Sequence, residues 1–392
     1  MRPTSIVHAT GACYDSQKAR NWRRLPRANP FRSSGETMAM AIETRPRNLL
    51  GMTRRELEDF SRAAGEPSYR GRQLYHGLYA RRVKDFAALT DLDRKFRQSL
   101  AERYIIRYPA IERAFASADR SVRYLLSLED GEKVEAVFMP DEARTTLCIS
   151  SQAGCAVDCK FCFTGLMGLK RNLTAGEMAG QVLTLLEASG LRGRVNVVFM
   201  GMGEPLLNYA EVVKAVEILA DPEGVAVPAH RITVSTAGIV PQIYELARER
   251  VRPRLAVSLN ASTDEERTAL MPINRKYPLS ELMTACREFQ LPPRQRLTFE
   301  YVLLAGVNDS DDDARRVAEL VEGIRAKINL IPYNSGPDLP YRAPPLERVL
   351  AFQQILRERR VPAFIRISRG RDVMGACGQL SLAGNQEAEV RS

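Results

Sequence analysis

From Thr53 to about Tyr104 the apolar residues recur three and four positions apart: Leu57, Phe60 and Ala64, then Leu74, Leu78 and Phe86, then Leu92, Phe96 and Leu100. That spacing predicts a small helical module. The pattern then becomes two-fold over Ser121–Leu126 and Val134–Phe138, with Glu129-Asp130-Gly131 between them, which predicts a β-hairpin. From Thr145 onward short apolar runs alternate with helical segments. Strands are expected at 145–150, 195–200, 231–236, 254–259, 297–303 and 327–332, and helices near 174–189, 208–220, 240–249, 279–289, 310–325 and 345–359. Six β-α units imply an α/β fold whose parallel sheet curls into a partial or full (βα)6 barrel, with its chemistry at the carboxyl ends of the strands. Polar and glycine-rich segments fall at those ends: Gly201–Pro205, Ser235, Ser258–Asn260 and Asn334. The expected organisation is a basic, disordered extension over 1–47, a helical accessory domain over 48–104 and a hairpin linker over 105–144. The barrel core follows over 145–368, and a C-terminal loop and polar tail over 369–392.

Charge adds a partner class. Among 392 residues, 57 Lys and Arg stand against 47 Asp and Glu, a net charge of +10 with a pI near 9.4. Such a balance favours a polyanion, nucleic acid ahead of membrane. Much of the excess is local, because residues 1–48 carry nine basic and three acidic side chains. This start is Arg-rich but has no apolar leader segment; Met38 or Met40 is the expected natural start, and a monomer is expected. The helical module presents Arg54, Arg55, Arg62, Arg70, Arg72, Arg81, Arg82 and Lys84 as possible phosphate contacts, with Tyr69 beside Arg70 and Arg72. Runs such as Val195–Met200 are far shorter than the ~20 residues of a membrane-spanning helix. Seven cysteines, an odd number in a long chain, argue against a secreted disulfide framework and for a reducing cytoplasm.

Three of those cysteines, Cys155, Cys159 and Cys162, lie within eight residues directly after the first expected barrel strand. Structural zinc sites use four ligands in two pairs, and no second pair follows at suitable spacing. A 4Fe-4S cluster held by three thiolates fits better and leaves one iron open for chemistry. The Cys-x3-Cys-x2-Cys spacing, with an aromatic residue before the third cysteine, resembles the radical S-adenosylmethionine (SAM) superfamily. Gly201-Met202-Gly203-Glu204-Pro205 is similar to that superfamily's glycine-rich site for the SAM amino group.

Further motifs narrow the resemblance. Val134-Glu135-Ala136-Val137, Leu147-Cys148-Ile149-Ser150-Ser151-Gln152, Arg171-Asn172-Leu173, Ile273–Tyr277, Asn329–Asn334 and Gly375-Ala376-Cys377-Gly378-Gln379-Leu380 together resemble the RlmN family of RNA adenine-carbon-2 methyltransferases. The likeness runs from about residue 48 to residue 381. It implies a 4Fe-4S cluster on Cys155, Cys159 and Cys162, and two SAM molecules per turnover. One SAM methylates Cys377; the second supplies the radical that removes hydrogen from the resulting S-methyl group. The sulfur-bound carbon then adds to the adenine, Glu135 takes the ring proton, and Cys148 resolves the covalent adduct by forming a transient disulfide with Cys377. It places SAM on Gly203, Glu204, Ser235, Ser258, Leu259, Asn260 and Asn334. The implied substrates are 23S ribosomal RNA at the peptidyl-transferase centre and transfer RNA next to the anticodon, with flavodoxin or ferredoxin as electron donor and no membrane partner.

The residue types suit these roles on chemical grounds. A thiolate accepts a methyl group readily, and disulfide release needs a second thiol within reach. Carbon 2 of adenine has no lone pair with which to attack SAM, so polar methyl transfer is not expected there. Cys13 and Cys286 lack any motif and are read as structural. Two departures stand out: Asn260 where some members carry His, and Phe163 where a smaller residue is common, expected to shape the pocket. The alternative readings are a carbon-8 methyltransferase like the relative known as Cfr, and a non-catalytic iron–sulfur protein that binds RNA or senses redox state.

Overall fold

The computed structural model describes residues 46–141, 144–191, 193–336 and 339–382, so Cys13, most of the basic extension and the end of the polar tail lie outside it. The described chain opens with β1 (Arg47–Asn48), α1 (Arg54–Ala63), α2 (Ser68–Tyr75) and α3 (Arg94–Arg103), and β2 (Tyr104–Ile105) pairs back on β1. Each helix begins where a side chain or proline sets its first turn. Thr53 and Glu56 form a reciprocal capping box on α1, Pro67 precedes α2, and Asp93 accepts from two N–H groups of α3. Most of the apolar stripe predicted for this module is buried: Leu57, Leu74, Leu78, Phe86, Leu92, Phe96 and Leu100 join the main core, while Phe60 is half-buried and Ala64 is exposed.

Three antiparallel strands follow, β3 (Ala110–Ala116), β4 (Val122–Ser127) and β5 (Lys133–Met139), of which β4 and β5 are the expected hairpin. The first was not expected. Its side chains are mostly exposed, so β3 carries no two-fold apolar signal; strand pairing, the Glu112–Lys133 ion pair and the Arg123 guanidinium on the Phe115 ring hold it. The hairpin is continuous with the barrel, because β5 pairs antiparallel with β6 (Thr145–Ile149). After β6 come a short ribbon of β7 (Gln152–Gly154) and β8 (Leu169–Asn172), with α4 (Phe163–Leu166) between them.

The remaining units are α5 (Ala175–Ala188), β9 (Val195–Phe199), α6 (Tyr209–Ala220), β10 (Ile232–Thr236), α7 (Val240–Leu246) and β11 (Arg254–Ser258). Then follow α8 (Asp264–Leu270), α9 (Leu279–Glu288), β12 (Leu297–Leu303), α10 (Asp311–Leu320), β13 (Ala326–Pro332), α11 (Leu346–Glu358) and β14 (Ala363–Ile365). All six expected barrel strands are present and parallel. β14 adds a seventh parallel strand, too short to stand out in the sequence. The single ten-stranded sheet runs β14-β13-β12-β11-β10-β9-β6-β5-β4-β3 and is open at both ends. Along β12 the alternation is complete: Leu297, Phe299, Tyr301 and Leu303 are buried towards the helices, Tyr301 packing on Phe352 of α11. Thr298, Glu300 and Val302 therefore face the concave side. No helix of the described residues is long and apolar enough to cross a membrane.

Candidate active site

The concave face holds a cavity of about 1040 Å³ counted out to its mouth, and its lining brings together most of the residues singled out above. Cys155, Cys159 and Cys162 line it from the loop after β7, with Gly203 and Glu204 after β9, Ser235 on β10, Ser258 and Asn260 at the end of β11, and Cys377 on the C-terminal loop. Gly203 is the one residue its backbone allows. Its φ is +97°, and a Cβ there would sit 2.5 Å from the Cβ of Gln152. Gln152 in turn accepts from the Glu204 N–H at 2.8 Å and donates to Asn172, tying the glycine-rich turn to β7 and β8. Ser150 is a second tie. Its hydroxyl donates to the Glu135 carbonyl and accepts from the Met202 N–H, while Gln181 of α5 pairs with both its backbone groups.

The donor set fits the two groups implied for it. No three His, Cys, Asp or Glu side chains among the described residues converge on a single metal-ion position. A cubane cluster requires no such convergence, since each thiolate holds a different iron. Burial pushes the Cys155 thiol up to about 12, and Cys159 and Cys162 also rise, chiefly from burial. Three thiolates cannot share this pocket without a cationic partner such as cluster iron. Glu204 tells the same story for an ammonium. Its oxygens accept from the N–H groups of Leu206 at 3.0 Å and Ala237 at 2.6 Å, yet burial still raises its carboxyl to about 7. A bound cation would return it to the charged form.

A second group of residues meets at the C-terminal loop. Glu135 on β5 is fully buried and ion-paired with Arg123 of β4, and its second oxygen accepts from the Ser381 N–H at 3.0 Å. Burial raises its carboxyl above the usual range, while Arg123 opposes that rise. Cys148 lies on β6 opposite Val137 and level with Val198 of β9, so it faces the concave side. Cys148 and Cys377 are free thiols, close enough that Cys377 adds to the rise that burial imposes on Cys148. Cys377 is exposed to the open cavity, yet the walls around it push its thiol up to about 11. Its loop is pinned by Asn334 Nδ2 donating to the Cys377 carbonyl, the Phe163 N–H to Gly378, Thr164 Oγ to Leu380 and Gln379 to Ser335.

Several residues sit differently from expectation. The Leu259 side chain is wholly in the core, and only its backbone, donating to the Glu300 carbonyl, stands at the site. Asn334 is buried and holds the loop rather than lining the cavity. Asn260 adopts φ +56°, which Asn tolerates, and its amide is spent on the Val302 N–H and Met271 sulfur. Phe163 does not line the cavity either; its ring fills the space over Gly336, where a Cβ would be 2.1 Å from it. Cys286 is buried in the core as a structural thiol. Arg123, Glu300 and Tyr333, whose hydroxyl has no partner among the described residues, went unnoticed in the sequence. So did Arg267, wholly buried, which donates to the carbonyls of Ala237, Ser258 and Leu259 and so ties the ends of β10 and β11 together. Partners that come from distant segments leave no local sequence signal of what such a residue touches.

A partial barrel carrying a cysteine triplet and a glycine-rich turn at its strand ends defines a radical SAM enzyme. Residues 149–318 match the radical SAM superfamily, whose members use a 4Fe-4S cluster and SAM, and residues 47–106 match the ribosomal RNA large subunit methyltransferase N-terminal domain. The dual-specificity RNA methyltransferase RlmN of Syntrophobacter fumaroxidans is 48% identical over 326 residues, covering 83% of this chain and 95% of its own. The protein of the same name from Anaeromyxobacter is 48% identical over 351 residues, covering 87% and 92%. A crystal structure of a radical SAM methyltransferase from Sphaerobacter thermophilus superposes with a TM-score of 0.81 at 46% identity, covering 86% of this chain and 99% of that one. The chain belongs to the RlmN family and is a radical SAM RNA methyltransferase.

Proposed function

We propose that this enzyme methylates carbon 2 of an adenine in 23S ribosomal RNA and of the adenine next to the anticodon in transfer RNA, in a reducing cytoplasm, consuming two SAM molecules per turnover. The bound cluster and SAM supply a 5′-deoxyadenosyl radical. The chain's own residues do the rest. Cys155, Cys159 and Cys162 hold the cluster, and Glu204 meets the SAM ammonium beside Gly203, Ser235 and Ser258. Cys377 carries the methyl group. Glu135, held by Arg123, takes the ring proton, and the Cys148 thiol attacks the Cys377 sulfur, breaking its bond to the new methyl carbon, which gains a proton as the thiol loses one, and leaving a disulfide.

The observation that carries this reading is the meeting of Glu135, Cys148 and the Cys377 loop beside the cavity lined by the cysteine triplet. An iron–sulfur binding protein without catalysis has no use for two extra thiols and a buried carboxylate there. The test is anaerobic reconstitution with iron and sulfide, then reductant, SAM and unmodified RNA, with digested nucleosides read by mass spectrometry. 2-Methyladenosine is expected from both RNAs. 8-Methyladenosine alone would overturn the assigned carbon, and SAM cleavage with no modified nucleoside would overturn the substrate.

A further inference from the structure

The concave face changes character along the strands. Glu300 is level with Ser258 and Asn329, and the Asn329 amide donates to its carboxylate at 2.9 Å. Glu300 lines the same cavity as the cysteines. Two residues nearer the strand starts, on the same face, stands Lys327. Arg254 begins β11, Arg144 immediately precedes β6, and Arg366 immediately follows β14. These three arginines are exposed. After burial, the larger cause, they lower the Lys327 ammonium together, against a raising influence of Glu300, so all four cations share one electrostatic neighbourhood.

None of the four forms an ion pair with another described residue. Six of the eight cations named in the helical module differ, Arg55 and Arg82 having no ion pair among the described residues. Arg54 pairs with Asp221 and Glu223, Arg62 with Asp59, Arg70 with Glu66, Arg72 with Glu58, Arg81 with Asp91 and Lys84 with Glu187. Four cations around one carboxylate, Glu300, leave a net positive charge that a polyanion neutralises. A second feature lies beside them. Phe364 of β14 is level with Asn329, on the concave side, and is 49% exposed. An exposed ring next to a guanidinium is the pairing that stacks a nucleic-acid base beside a held phosphate.

Cys377 connects this surface to the chemistry. It lines one cavity together with Cys162 and Glu300, and Glu300 and Arg366 are among the charges that act on its thiol. The cysteine triplet, Gly203 and Glu204 occupy the strand-end side. We propose that Arg144, Arg254, Lys327 and Arg366, with Phe364, form the surface along which a single-stranded RNA segment brings its target adenine to Cys377. The phosphates on either side of the adenine lie on the four cations, and a flanking base stacks on Phe364. This rests on the RNA methyltransferase reading above.

The test uses the reconstituted enzyme and a labelled, unmodified transfer RNA transcript, with affinity measured across a salt series. Arg254→Gln and Arg366→Gln are each expected to weaken binding about three- to tenfold and to reduce the slope of log affinity against log salt by roughly 0.7 to 1, with the double variant losing about twice that. Arg315→Gln, on the outer face of α10, is expected to change neither quantity. A double variant with wild-type affinity and slope would overturn the proposal. So would weakened binding with an unchanged slope, because that marks a packing defect rather than a lost phosphate contact. If wild-type enzyme cleaves SAM but binds no RNA at any salt concentration, the underlying RNA reading falls, and this surface with it.

Discussion

Glu135 shows how much one residue's role depends on what it touches. In the sequence it is one acid in an apolar strand, and the motif around it is the only signal of a function. In the fold it is a buried carboxylate between the Arg123 guanidinium, itself stacked 4.1 Å from the Phe115 ring centroid, and the backbone of the Cys377 loop. In its proposed role as proton acceptor Glu135 must be ionised, so turnover is expected to fall as pH drops through its pKa. Burial raises that pKa and Arg123 restrains it, so Arg123→Gln is expected to carry the acid limb of the pH–rate profile to higher pH. Arg123→Lys should restore most of the position; an unmoved limb in the Gln variant would separate the two residues functionally. Breaking this buried pair is also expected to cost about 3 kcal/mol of stability, read by denaturant unfolding. For Cys148 the expected outcome is chemical. Cys148→Ala leaves the adduct without a resolving thiol, so a covalent protein–RNA species should accumulate on denaturing gels, and normal release of methylated RNA would remove Cys148 from its role.

Among elements, β3 has the least sequence signal and a clear positional consequence. The turn between β3 and β4 holds the C-terminal loop at its base. Asp119 accepts from the Gly370 N–H at 2.9 Å, and Asp372 accepts from Ser117 Oγ at 2.6 Å and the Ala118 N–H at 3.0 Å. Despite the opposing effect of partial burial, these N–H and hydroxyl donors hold the Asp119 carboxyl down at about 2. Asp119→Ala should therefore speed amide exchange across residues 370–381 and slow product release, while exchange in β12 and β13 stays as in wild type. Exchange unchanged over 370–381 would mean that Asn334, Gln379 and Thr164 suffice to hold the loop. The loop's own sequence gives little sign of this, because its partners come from four separate elements.

Across the whole molecule, the helical module and the barrel share one core. Gly51 and Gly176 approach so closely that a Cβ on Gly176 would lie 2.3 Å from the Leu50 carbonyl oxygen, and the Tyr75 hydroxyl donates to the Ile218 carbonyl of α6. Gly176→Ala is expected to cost roughly 2 to 3 kcal/mol, through displacement of the module rather than through α5 itself, which Ala favours. A single cooperative unfolding transition at lower denaturant would bear this out; a variant as stable as wild type would show that the contact can relax freely. The sequence by itself determined the order and period of the elements, the cysteine triplet, the glycine-rich turn and the family, because those signals are local: side-chain periodicity, ligand spacing and turn chemistry are written over a few neighbouring residues. Only the tertiary structure decided that Glu135 is paired with Arg123, that Leu259 and Asn334 stand behind the cavity wall, that Arg267 ties two strand ends, and that four cations without an ion pair among the described residues gather around Glu300 on the concave face. Each of these depends on side chains from distant strands sharing one face of a sheet. Burial and charge pairing at such a place are set by every strand that reaches it, and by no one segment alone.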